Sequence, residues 1–378
     1  MEEIAVLIVD DSALMRNLIS RMITGVPGCV VAGKAMNGEM ALGKIDSLKP
    51  DIIILDLEMP IMTGVEFMRE RKKRGIDIPV IILSSIARQG AAVTMECLEL
   101  GASDFLLKPS GSESEDITKV ADRLADMVIC YGAPYAKKHQ KKLDIKVQER
   151  LALPLSERAE TVSTQRMSVQ SRVTKPAVIQ PLREPGKIEI IALGISTGGP
   201  NALREVFSQI VSDLPQPIVV VQHMPVGFTA EFAASLNNIC PLEVKEAADG
   251  DLLKRGRILI APGNKYIVVE KRPLASILRL SDEPQRNGHR PSVDVFFESV
   301  AKVYQNHALG IIMTGMGRDG ATELTKMRKQ GAWTLGQDAE SSVVYGMPRV
   351  AYEMGAVMQQ VSLSKMAETI NTLAKSHC

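Results

Sequence analysis

The stretch IEIIALGISTGGPNALREVF, residues 188 to 207, decides how the second half of this chain folds. Ile188 to Leu193 is almost wholly apolar, the pattern of a strand covered on both faces. Beyond Pro200, the residues Leu203, Val206, Phe207 and Ile210 recur at helical spacing. Between them, Gly194-Ile195-Ser196-Thr197-Gly198-Gly199 places one serine between a strand end and a helix start, among glycines. That geometry exposes a hydroxyl and brings backbone N–H groups near it. It suits a nucleophile, and it suits a phosphate cradle equally.

Two further runs have the same form. Pro217-Ile218-Val219-Val220-Val221 leads into Gln222-His223-Met224-Pro225, and Ala308 to Met313 leads into Thr314-Gly315-Met316-Gly317-Arg318-Asp319-Gly320. Helical segments follow each run, so a second parallel α/β sheet is expected. Ligands of such sheets sit beyond the carboxyl ends of the strands, which brings Ser196, His223 and Asp319 within reach of one crevice. A serine, an imidazole and a carboxylate are the parts of an acyl-transfer triad. Ser196 needs a base, His223 would supply it, and Asp319 would orient the imidazole. Backbone N–H groups around Thr197 and Met316 could receive the charge of a tetrahedral oxygen. The chain order Ser…His…Asp differs from the Ser…Asp…His order of the α/β-hydrolase fold, so that fold is not expected. The Gly315–Gly320 loop could instead bind phosphate.

Residues 1 to about 130 repeat the strand–helix alternation. Val6-Leu7-Ile8-Val9 ends in Asp10-Asp11, Ile52 to Leu55 in Asp56, Val80 to Leu83 in Ser84-Ser85, and Phe105 to Leu107 in Lys108-Pro109. Helical patterns fill 38–48, 64–74, 91–100 and 115–130, which predicts an open parallel sheet wound on both sides. Three carboxylates, a hydroxyl and an ammonium would meet at the strand ends. Carboxylates so grouped repel unless a cation joins them, and hard oxygen ligands suit Mg²⁺. A metal-bound carboxylate beside a lysine is a good phosphoryl acceptor.

From Tyr131 to Lys187 the pattern breaks. This stretch holds seven Lys and five Arg against one Asp and four Glu, a net +7, and it is punctuated by four prolines from Pro154 onward. It reads as a basic flexible linker, 131–186, with a polar helix over 137–153. The whole chain has 378 residues, a net charge of +1, 45% hydrophobic residues and 24% charged residues. The length favours two domains, and the balance implies no global attraction to nucleic acid or membrane. Five scattered cysteines read as reduced thiols of a cytoplasmic protein. No apolar stretch approaches membrane-spanning length and no signal peptide is evident, so direct membrane insertion is not expected.

The motifs also carry two resemblances. Residues 4 to 125 resemble a response-regulator receiver domain, which has a flavodoxin-like, five-stranded parallel sheet. The resemblance implies that Asp56 is phosphorylated, that Asp10, Asp11 and Asp56 hold Mg²⁺, that Ser84 is the switch hydroxyl and that Lys108 pairs with the phosphoryl group. Lys108-Pro109 resembles the family's cis peptide, and Glu58 reads as a solvated loop acid. Residues 187 to 375 resemble the catalytic domain of the chemotaxis protein-glutamate methylesterase family (CheB), through GISTGGP, VQHMP, APGN, RPSVDVFF, TGMGRDG and VVYGMPR. That resemblance implies a doubly wound, mainly parallel α/β domain over 187–378, with Ser196 as nucleophile, His223 as base, Asp319 as orienting acid and Met316 as oxyanion donor.

The implied activity is hydrolysis of glutamate methyl esters on chemotaxis receptors and deamidation of receptor glutamines. It requires no cofactor for the ester chemistry, takes a chemotaxis histidine kinase as phosphodonor and is carried by a monomer. In this reading the receiver covers the Ser196 cleft until Asp56 is phosphorylated. One departure from the family is Tyr266, where a histidine often stands after the APG turn. It reads as a cleft or packing variation. His139 and His377 read as solvated, and His289 lies in a basic loop able to touch an acidic substrate. The competing reading is a two-component regulator whose second domain only binds a partner or a phosphate ligand. A DNA-binding output is not expected, because no dense basic recognition helix is present.

Overall fold

The structure, a computed structural model, describes residues 2–85, 88–108, 114–143, 177–285 and 288–378. The chain separates into two compact units, Met1–Ser168 and Val169–Cys378.

Among the described residues of the first unit, five strands alternate with five helices: β1 (Ile4–Val9), α1 (Ala13–Thr24), β2 (Cys29–Ala35), α2 (Gly38–Leu48), β3 (Ile52–Asp56), α3 (Gly64–Lys73), β4 (Val80–Ser84), α4 (Arg88–Glu99), β5 (Asp104–Leu107) and α5 (Ser114–Lys138). The sheet order is β2-β1-β3-β4-β5, and every pairing is parallel. The order reverses between β1 and β3, so the ends of those two strands open onto the ligand crevice of such a sheet. β1 and β3 are buried along their whole length, which explains their unbroken Val/Ile/Leu runs. Helix starts follow local rules. Ser12 caps α1, and Thr63 with Glu66 forms a capping box on α3.

The limits expected for the linker need correction at both ends. α5 runs on to Lys138 rather than stopping at 130, because Val128, Ile129, Ala133 and Ala136 continue one buried face at helical spacing. Gly132 lets that face come close: a Cβ there would lie 2.7 Å from Ile4 Cγ2. Pro134 is tolerated on the exposed side. Residues 177–186 also pack on the second unit, where Ala177 N–H donates to Glu353 O, Leu182 N–H to Lys329 O and Gly186 N–H to Asn306 O. The helix expected over 137–153 extends only to Lys138 within the described residues, and 144–153 falls outside them.

The second unit contains β6 (Ile190–Ile195), α6 (Gly199–Phe207), β7 (Ile218–Gln222), α7 (Phe228–Asn237), β8 (Glu243–Glu246), β9 (Arg257–Ile260), β10 (Tyr266–Lys271), β11 (Ser276–Ser281), α8 (Val293–Tyr304), β12 (Ala308–Ile312), α9 (Ala321–Gln330), β13 (Trp333–Gln337), α10 (Met347–Glu353), β14 (Gln359–Val361) and α11 (Leu363–Ser376). Seven strands form one parallel sheet ordered β14-β13-β12-β6-β7-β9-β8. β6 is central, with β7 on one side and β12 on the other. The chain leaves β6 in one direction and later returns on its other flank, so the topological switch lies at the end of β6, where Ser196 stands.

An antiparallel hairpin, β10–β11, packs on α8. Its buried residues Ile267, Val269 and Leu278 join Phe296 and Phe297 of α8 in one core cluster. The hairpin thereby supports the helix whose start faces the catalytic cleft. His377 is half-buried rather than fully solvated as expected. Its ring lies 4.4 Å from that of Trp333, and its carbonyl accepts from Ile188 N–H.

Candidate functional site

Ser196 follows β6 directly. Its N–H donates to Thr314 O, which ties it to the segment after β12. Two glycines make the close approach possible. Gly198 adopts φ +78° at the start of α6, a left-handed conformation that disfavours side chains. Gly315 lies flat against the serine, and a Cβ there would come 2.8 Å from Ser196 Cβ.

His223 follows β7, one strand over. Its Nδ1 is 3.1 Å from Ser196 Oγ, and its Nε2 is 2.8 Å from Asp319 Oδ2. The ring therefore presents Nδ1 to the hydroxyl and Nε2 to the acid, the reverse of the assignment familiar from serine proteases. With the Nε2 proton held by Asp319, the Nδ1 lone pair faces Ser196 Oγ. The structure thus brings together the three residues that sequence patterning placed at three separate strand ends.

Asp319 lies in the loop between β12 and α9, against the start of α8. Its Oδ1 accepts from Ser292 Oγ (2.9 Å) and Asp294 N–H (3.1 Å), and its Oδ2 accepts from Val293 N–H (2.7 Å) as well as from His223. Burial pushes this carboxyl upward. The His223 hydrogen bond and charge, with the N–H groups of Val293 and Asp294, outweigh that burial and hold it at about 2. A helix N-terminus is a natural seat for an anion, so α8 keeps Asp319 charged inside the core.

The N–H groups of Thr197 and Met316 have no protein acceptor among the described residues. Thr197 is held by its carbonyl, which accepts from Thr314 Oγ1 at 3.0 Å. Met316 follows Gly315, whose N–H donates to Val344 O and whose carbonyl accepts from Met347 N–H. The motif VVYGMPR thus anchors the loop that carries the expected oxyanion donor.

Three supporting residues, Gln222, Ser292 and Thr314, were not assigned roles by sequence patterning, although each lies inside a quoted motif, and Tyr266, read as a cleft or packing variation, joins them. Gln222, 2% exposed, donates from Nε2 to Ser196 O (3.1 Å) and His223 O (3.3 Å), locking the two strand ends together. Ser292 caps α8 and donates to Asp319. Thr314 bridges the Thr197 and Val344 segments. Tyr266 is buried, and its hydroxyl reaches the carbonyls of Pro284 and His289 at 3.1 Å each. The departure at Tyr266 is therefore a packing and loop-anchoring residue. A polar residue beside each chemical one was the available signal, but only tertiary contact tells which polar neighbours point inward.

In the first unit, Asp10, Asp11 and Asp56 bring carboxylate oxygens within 4.8 Å of one another. Lys108 Nζ lies 3.0 Å from Asp10 Oδ2 and 2.8 Å from Asp56 Oδ2. Burial pushes the Asp56 carboxyl upward, and Asp10 adds to this, against the pull of Lys108. Burial alone would lower the Lys108 ammonium, but Asp56 and Asp10 raise it on balance. One ammonium among three carboxylates leaves excess negative charge, and Asp10 Oδ2 is buried with Lys108 Nζ as its one polar neighbour among the described residues. This donor set fits a hard divalent cation.

Ser84 is fully buried and turned toward α4. It accepts from Thr94 Oγ1 (2.8 Å) and lies 3.4 Å from Gly90 O. Glu58 is exposed, as read from the sequence. Pro109 lies outside the described residues, so the expected cis peptide does too.

Two family models match the chain: response regulator receiver domain over residues 6–121 and CheB methylesterase over residues 191–370. Proteins named protein-glutamate methylesterase/protein-glutamine glutaminase align along nearly its full length. The one from Treponema denticola is 59% identical, covering 99% of this chain and 99% of its own. The one from Treponema pallidum is 54% identical, covering 99% and 98%. A third, numbered 2 in Koribacter versatilis, is 45% identical, covering 96% and 94%. With a receiver domain ahead of a parallel α/β domain that assembles Ser196, His223 and Asp319, the chain belongs to the CheB methylesterase family.

Proposed function

We propose that this chain is a phosphorylation-controlled protein-glutamate methylesterase that also deamidates glutamine side chains, with chemotaxis receptors as substrate. The observation that carries the chemistry is the continuous chain of hydrogen bonds from Ser196 through His223 to Asp319, at the switch point of the sheet.

Ser196 Oγ attacks the ester carbonyl while His223 Nδ1 accepts the hydroxyl proton. Asp319, charged at neutral pH, stabilises the imidazolium that results. The tetrahedral oxygen receives the N–H groups of Thr197 and Met316. As the intermediate collapses, the C–O bond to the methoxy group breaks, and His223 returns its proton to release methanol. Water then attacks the seryl ester, with His223 taking its proton; the bond to Ser196 Oγ breaks, His223 returns the proton to Oγ, and the glutamate side chain is freed. A glutamine amide follows the same course, with ammonia as the leaving group.

Asp56 attacks the phosphorus of a phosphohistidine on the chemotaxis kinase, and the P–N bond breaks. Mg²⁺, held by Asp10, Asp11 and Asp56, would neutralise charge on the transferring group. Lys108 supplies a fixed cation beside it, and Ser84 must leave its contacts with Gly90 and Thr94 to reach a phosphoryl group. The proposed consequence is a population shift that raises the rate of turnover at Ser196. The proposed setting is the cytoplasm. No described helix is long and apolar enough to cross a membrane.

The test is methanol release from receptor membranes carrying labelled methyl esters. Ser196→Ala should reduce the rate to background. A wild-type rate in that variant would overturn the mechanism and return the second domain to a binding role.

A further inference from the structure

The His223 imidazole does more than bridge a hydroxyl and a carboxylate: one of its faces is covered. The His289 ring lies parallel to it, 3° between planes and 4.2 Å between centroids. His289 sits in the loop between β11 and α8, far from His223 in sequence, and is half-buried.

That loop is secured at several points. Tyr266 OH reaches the carbonyls of Pro284 and His289. Arg290 Nη1 donates to the carbonyls of Asp282 and Glu283, each at 2.9 Å, and Arg290 Nε donates to Asn264 Oδ1 at 2.8 Å. Asn264 N–H in turn donates to Arg290 O.

Two hydrogen bonds at opposite nitrogens define a line through an imidazole. They leave the tilt of the ring plane loosely held, and motion about the Cβ–Cγ bond, which carries both nitrogens, swings the Nδ1 lone pair off the hydroxyl it must deprotonate. A flat ring stacked on one face opposes this motion through dispersion and shape, without needing a hydrogen bond. It also keeps water from that face.

We infer that His289 is a positioning residue, whose ring holds the plane of His223 in register with Ser196 and Asp319, and that Tyr266 sets the loop that delivers it. His289 acts on the base and so governs turnover rather than substrate capture. This inference rests on the esterase reading.

The test compares His289→Ala, His289→Gln and His289→Phe in the full-length phosphorylated enzyme, with methanol release measured across receptor concentration and with thermal unfolding recorded for each. Wild type and Ser196→Ala are run beside them, together with labelling of Ser196 by a serine-reactive phosphonate. Ala and Gln should each lower kcat by about tenfold with KM within about twofold, while Phe, which stacks but does not hydrogen-bond, should recover most of the rate. Phosphonate labelling should slow in the same order. If any one variant fails to fold, the other two still decide.

An unchanged kcat in Ala or Gln, while wild type shows Ser196-dependent turnover, overturns the inference and leaves the esterase intact. So does an active Gln variant beside a slow Phe variant, which would mean that hydrogen bonding rather than stacking matters. Absence of both turnover and labelling in wild type would overturn the esterase reading and this inference with it.

Discussion

Asp319 shows how one carboxylate can be both buried and reliably charged. At 2% exposure, burial alone would favour the neutral acid. The His223 hydrogen bond and charge, with the N–H groups of Val293 and Asp294, reverse that preference and bring it from 3.8 to about 2. A carboxyl whose pKa is lower in the folded state stabilises the fold above its unfolded value, and that contribution fades as pH falls through 4 toward 2. The shift corresponds to about 2 kcal/mol. Asp319→Asn cannot titrate, so the stability gap between wild type and this variant should narrow by about that amount from pH 6 to pH 2. Urea unfolding across that range checks it, and a gap independent of pH would contradict the reading. Of the residues around Asp319, the acid itself was legible at a strand end. Ser292 was visible only as part of RPSVDVFF, because an N-cap serine that also bonds a buried carboxylate reads like any other cap until the helix is placed.

At the scale of elements, the site depends on loops held at close range by parallel strands. β6, β7 and β12 are neighbours in the sheet, so the residues that follow them emerge side by side. Gly315 is a tight joint, with Ser196 on one side and Met347 on the other. Gly315→Ala should destabilise the second unit by about 1–3 kcal/mol, the usual range for forcing a methyl group into a packed interior. It should also lower kcat by on the order of tenfold or more, since displacement of the nucleophile by fractions of an ångström is costly. Denaturant unfolding and methanol release read the two effects separately. The hairpin β10–β11 was not separated by sequence patterning, although Arg272-Pro273-Leu274-Ala275 marks its turn. Its importance appears only once it is seen to support α8 and, through Tyr266, the loop of His289.

For the whole molecule, the two sites fall in two separate units. All three triad residues and both expected oxyanion donors lie within 177–378, which includes the segment 177–186 that packs on the second unit. A protein consisting of residues 177–378 should therefore fold and release methanol, and a small phosphodonor should not alter its rate. In the full chain the same phosphodonor should raise the rate, and Asp56→Asn should abolish that increase. Persistence of activation in Asp56→Asn would reject the proposed switch, and an inactive 177–378 protein that is nonetheless folded would show that the catalytic unit is incomplete.

The sequence by itself determined the alternation of strands and helices, the two-unit division, and the acids, hydroxyls, histidine and lysine at the strand ends. These features are local. Apolar runs and their periodicity report which segments are buried, and a parallel sheet delivers whatever follows its strands to one edge. Tertiary structure alone decided which imidazole nitrogen meets Ser196, that Gln222 bonds the Ser196 and His223 segments and Ser292 bonds Asp319, that Ser84 turns toward Thr94 and Gly90, and that His289, in a loop bonded by Tyr266, stacks on His223. Those are contacts between residues distant in sequence, set by strand order and side-chain direction, and no one-dimensional pattern encodes either.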